Sequence, residues 1–134
     1  MLELALEYYS LVVLLSIATI QLSSSFAGFK GITFIHNPKA NCCLALFIMG
    51  PCLGLVATWN WRNPTGIIEG GQQFLLFMLA IISAIGLNIV ISSLLNHLRF
   101  KDSDAALEGG FEALKSRTYL QAIMARLRNF KWRG

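Results

Sequence analysis

Residues 70–98 read GGQQFLLFMLAIISAIGLNIVISSLLNHL, 29 positions without an Asp, Glu, Lys or Arg. A hydrocarbon core about 30 Å thick is crossed by about 20 helical residues rising about 1.5 Å each, so this stretch is long enough to span a bilayer. Two similar runs precede it, Tyr8–Phe29 and Ala40–Trp61, each of 22 residues. Together the three runs hold 73 of the 134 residues. They are apolar nearly all round, which suits lipid rather than the one-sided burial of a soluble helix. The whole chain is 55% hydrophobic and only 13% charged, whereas a soluble domain carries about 25% charged residues. The expected fold class is an all-α integral membrane protein. It has three transmembrane helices, about 8–25, 42–58 and 73–97, within a single region 1–98.

Charge gives the orientation. Lys30 and Lys39 lie in the first loop, Arg62 and Glu69 in the second, and eight basic residues follow from Arg99 onward. Three spans put the first loop and the tail on one side, so that side carries ten of the eleven basic residues. The positive-inside rule makes it cytoplasmic, or the matrix or stromal side of an organelle, and leaves the N-terminus outside. Trp59 and Trp61 then fall at the outer boundary, where indole rings favour the headgroup level. The start Met1-Leu2-Glu3, with Glu7 following, lacks the positive n-region of a signal peptide.

Residues 99–134 form a basic tail with an amphipathic helix expected at about 111–131. Leu120, Ile123, Met124, Leu127 and Phe130 share one face at about 3.6 residues per turn. Arg117 and Arg128 flank that face on one side, Lys115 and Arg126 on the other. Residues 113–134 hold six basic side chains and no acidic one. Such a helix lies in the membrane interface with its cationic stems reaching anionic headgroups, or it docks on a cytoplasmic partner through the same stripe. A patch this short beside a membrane does not suit nucleic acid.

Two spans carry helix-packing signals. In the third, Ala80, Ala84, Asn88, Ser92 and Asn96 recur every four residues. Small residues admit another backbone closely, and Asn and Ser hydrogen-bond across the contact. Asn88 is the sharpest of them, because an unpaired amide in hydrocarbon costs several kcal/mol. Its partner is either another helix of this chain, or a different subunit or a polar ligand headgroup. In the second span, Gly50 and Gly54 have the small-xxx-small spacing of membrane helix contacts. Pro51 between them predicts a kink near Phe47–Pro51. In the first span only Gln21 asks for a distant partner, since most hydroxyls bond back to their own helix.

Catalytic signals are scarce. No ionisable Asp, Glu, Lys or Arg lies within a charge-free run, whereas pumps and ion-coupled carriers keep such residues at membrane depth. No Gly-rich phosphate loop, HExxH pattern or nucleophile elbow appears. Cys42, Cys43 and Cys52 lack a paired zinc spacing and read as small apolar residues. His36 and His97, both expected near the cytoplasmic boundary, are the weak candidates for holding a haem, quinone or metal. No metal site is expected, and no cofactor is indicated beyond lipid contacts. The leading expectation is a non-catalytic accessory or anchor subunit of a larger membrane complex, with the bilayer and other membrane subunits as partners. The alternatives are a homo-oligomeric channel or transporter, lined by Asn88, Ser92 and Gln21, and an enzyme subunit that helps bind a cofactor.

Overall fold

The structure is a computed structural model and describes residues 2–63, 66 and 68–96. The expected tail helix, with Arg117, Leu120, Ile123, Met124, Leu127, Arg128 and Phe130, lies outside the described residues, as does His97. Four helices follow one another: α1 (Leu2–Ala27), α2 (Pro38–Ala57), α3 (Trp59–Arg62) and α4 (Gly70–Asn96). The described residues contain no strand. Three of the helices, α1, α2 and α4, are long and apolar enough to cross a membrane. At 26, 20 and 27 residues, they reach about 39, 30 and 40 Å.

Each long helix starts earlier than the expected spans at about 8, 42 and 73, and two of the starts have a clear chemical reason. Helix α1 extends back through Glu3 and Glu7. Carboxylates in a first helical turn sit favourably at the positive end of the helix dipole. Helix α2 begins at Pro38 rather than Cys42. Asn37-Pro38 reads as a turn, but it is a cap. The Asn37 Oδ1 accepts from the Lys39 amide at 3.0 Å, and Pro38 occupies the first turn, where its missing N–H costs nothing. Helix α2 then runs on through Pro51 in helical conformation.

Helix α1 is the hub. It packs against α2 and against α4, while the backbones of α2 and α4 do not reach contact distance of each other among the described residues. More than twice the share of its span is buried compared with the span of α2 or α4. Toward α2, Leu11 packs with Cys52, Trp59 and Ile68, backed by Leu4, Tyr8, Leu15 and Ile48. Toward α4, Val12 and Val13 meet Ala80 and Ala84, both fully buried. The alanines let the two helices lie close, and Tyr9 adds a hydrogen bond to the Ser83 Oγ at 2.7 Å.

The single turn of α3 ties together the helix ends opposite the first loop. Trp59 is buried, with its ring centroid 5.0 Å from that of Tyr8 at an interplanar angle of 50°. Of the two tryptophans read as headgroup anchors, only Trp61 is exposed; Trp59 instead joins the α1–α2 core. Arg62 pairs with Glu7 of α1. Both partners are partly exposed, so the pair contributes little more than about 1 kcal/mol. Asn63 bonds both the N–H and the C=O of Ile68. That seats the Ile68 side chain in the core.

The α1–α4 seam is packed without spare room at its alanines. Ala84→Leu should therefore destabilise the fold by about 1–3 kcal/mol through overpacking. Ile82→Ala, on the exposed face of α4, should change it by much less. Reversible unfolding in mixed micelles measures both, and equal effects would contradict the hub arrangement.

Candidate functional site

The charged side chains of the described residues sit near helix ends and in loops, while the interior holds a cluster of neutral amides. Gln21, Asn41, Asn88 and Asn96 are each at most 2% exposed. They come from three helices and converge on the loop between α1 and α2. How that loop reaches them is set by the end of α1. Gly28 has φ +72°, and the Phe29 amide returns to the Ser24 carbonyl at 3.1 Å. This is a Schellman-type stop, which turns the chain back across the helix end and favours glycine at the left-handed position.

Gln21 uses every hydrogen-bonding position of its amide. Its Nε2 donates to the Ile32 carbonyl at 3.0 Å and to Asn88 Oδ1 at 2.6 Å. Its Oε1 accepts from the Phe34 amide at 2.9 Å and from Asn41 Nδ2 at 3.0 Å. One side chain of α1 thus joins α2, α4 and the loop backbone. Asn41 Nδ2 also reaches the Gln21 carbonyl and Ser25 Oγ, at 3.1 and 2.8 Å. Its Oδ1 accepts from the Ile35 amide at 3.1 Å. Asn96 donates to the Thr33 carbonyl at 2.8 Å and to the Ser92 carbonyl at 2.9 Å. Residues 32–35 are consequently clamped through their own backbone by all three long helices. Irregular backbone buried against helices needs its polar groups satisfied, and here side-chain amides do so.

The row Ala80, Ala84, Asn88, Ser92 and Asn96 is buried at every position. It faces α1 and the first loop of this same chain, and the partner of Asn88 is Gln21. Gly50 and Gly54 stand otherwise. A Cβ built on either would meet nothing within 4 Å, and both lie on the face of α2 opposite the buried Asn41, Ala45 and Cys52. Asn41 is the member of the cluster that the sequence reading passed over. Taking Asn37-Pro38 as a cap would have placed Asn41 on α2, in register with Ala45 and Cys52.

Chemically the cluster is inert. Its side chains are amides and hydroxyls, which neither take up nor release protons near neutral pH. No group of three His, Cys, Asp or Glu able to hold a metal gathers among the described residues. His36 is exposed in the first loop. Cys42, Cys43 and Cys52 are free thiols, half-buried, exposed and buried in turn. The amides of the cluster bond to one another and to the loop backbone, and so hold residues 32–35 in place. No protein-family model, curated protein or solved structure matches the chain.

Gln21→Leu removes four side-chain hydrogen bonds at nearly constant volume. Within membranes such bonds average about 0.6 kcal/mol each, and the stranded backbone groups add more, up to about 3 kcal/mol apiece. The expected loss is about 2–5 kcal/mol, with faster hydrogen exchange at the Phe34 amide. Asn88→Ala breaks the single Gln21 contact and should cost less than half as much. Unfolding in micelles and amide exchange read the two effects separately.

Proposed function

We propose that this protein is a non-catalytic accessory or anchor subunit of a larger integral-membrane complex. The observation that carries the reading is the outward face of α2. Gly50 and Gly54 have open space over their Cα atoms on the side turned away from α1. Glycine in a lipid-facing helix weakens the helix and packs poorly on its own. At this spacing it lets a second helix approach closely. Among the described residues α2 and α4 pack on α1, and their remaining faces are open to neighbours. The interior supports the reading too, being built from neutral amides engaged with one another.

Extraction in mild detergent followed by identification of co-purifying chains tests the proposal. Wild-type protein should bring down defined membrane partners. The Gly50→Leu/Gly54→Leu double variant should lose them while unfolding normally in micelles. Recovery of a monomer active by itself would refute the reading. Exclusive recovery of further copies of this chain would instead favour a homo-oligomer.

The orientation follows from charge, with the N-terminus outside and the first loop on the cytoplasmic, matrix or stromal side. Single cysteines introduced at Glu3 and at Lys30, in a background lacking the three native ones, should differ in labelling. In right-side-out vesicles an impermeant maleimide should reach position 3 and not position 30.

A further inference from the structure

We propose that the loop joining α1 to α2 is a binding site for the phosphate headgroup of an anionic phospholipid. Lys30, His36 and Lys39 are all exposed on this one end of the bundle. Among the described residues the recorded ion pair is Glu7 with Arg62, which belongs to the opposite end. The sequence holds no Asp or Glu from residue 8 to residue 68, so no neighbouring carboxylate of the loop or of α2 competes for Lys30 and Lys39. Among the described residues no ion pair involves Lys30 or Lys39.

The loop also holds its shape. Gln21, Asn41 and Asn96 bind residues 32–35 through backbone groups, and Asn37 caps α2. Lys30 and Lys39 therefore project from a braced segment, and less of their binding energy goes into ordering the backbone. The positive end of the α2 dipole lies beside Lys39 and adds to the same potential. Phe26, 80% exposed, and Ile35, 36% exposed, flank the basic groups and offer apolar contact to the upper acyl chain. Apolar flanks beside exposed basic side chains at a bilayer boundary favour a lipid over a free phosphate ion. Juxtamembrane Lys and Arg attract anionic headgroups, each contributing about 1 kcal/mol near the surface. The inference rests on the membrane-spanning fold and is independent of membership in a complex.

The test uses the full chain in phosphatidylcholine nanodiscs carrying a small fraction of phosphatidylglycerol with a photoreactive group beside its headgroup. Labelled peptides are mapped by mass spectrometry. The segment from Phe29 to Cys43 should be labelled well above the level given by a zwitterionic probe of the same design. Each basic residue near the surface is worth about a fivefold change in binding, so Lys30→Gln/Lys39→Gln should lower labelling of this segment about tenfold or more. Labelling of the tail peptides beyond Arg99 should stay unchanged and serves as the internal control. Circular dichroism and micelle unfolding confirm that the variant is folded. Equal labelling by both probes, or no response to the double variant, overturns the proposal. Complete displacement by millimolar inorganic phosphate would assign the site to free phosphate instead. Cross-linking of the loop to an acidic protein in native membranes, with no lipid adduct, would assign it to a protein partner.

Discussion

The arrangement of this protein depends on one side chain, Gln21. A glutamine amide offers two hydrogens and two lone-pair positions, and here all four are matched by groups from α2, α4 and the loop. In water such a node would contribute little, because solvent would compete for each position. Within a bilayer the alternative is an unsatisfied amide in hydrocarbon, costing several kcal/mol. The hydrophobic effect holds the three helices in the membrane but does not order them against each other, since lipid tails are as apolar as Leu. Gln21 supplies the direction that apolar packing lacks. With it in place, α2, α4 and the loop have one mutual arrangement that leaves its amide satisfied.

The rest of the interior divides along the length of α1 in keeping with that role. Toward the end away from the first loop the contacts are apolar and aromatic, with Leu11, Cys52, Trp59 and Ile68 on one side and Val12, Val13, Ala80 and Ala84 on the other. Toward the loop end they become polar, with Ser24, Asn41, Asn88 and Asn96 buried. The change falls where irregular backbone must be accommodated. A loop carries N–H and C=O groups that no helix satisfies, so the helices that receive it must present amides. Gln21, Asn41 and Asn96 are thus accounted for by the loop backbone they serve.

How much of this was legible in the sequence depends on the kind of signal. The spans were readable because the bilayer imposes a length and excludes charge, and Gly70–Leu98 meets both conditions without ambiguity. The buried side of α4 was readable because Ala80, Ala84, Asn88, Ser92 and Asn96 repeat at helical spacing. What they meet was not readable. Periodicity marks a face but carries no information about the surface opposite it, so Asn88 could equally have pointed to Gln21 or to another subunit. Asn41 was missed for a local reason: Asn37-Pro38 has the composition of a turn, and only its position before a helix makes it a cap. Trp59 and Trp61 share composition and neighbourhood, yet one turn of α3 sends the first into the core and leaves the second outside.

Two small-residue rows in this chain obey the same chemistry and end differently. Ala80 and Ala84 are fully buried against α1, whereas Gly50 and Gly54 face away from it with nothing above them. The difference is informative because glycine is the weaker helix former by about 1 kcal/mol per residue relative to alanine. Where α4 needs close approach to α1, alanine suffices and retains helix propensity. Where α2 turns outward, it carries two glycines and a proline within five positions, a costly choice for a face that only meets lipid acyl chains. Leu or Ile would serve a lipid contact better and stabilise the helix. A second helix approaching nearer than a Cβ would allow gives that cost a structural return, and none of the described residues of this chain supplies such a helix at that face.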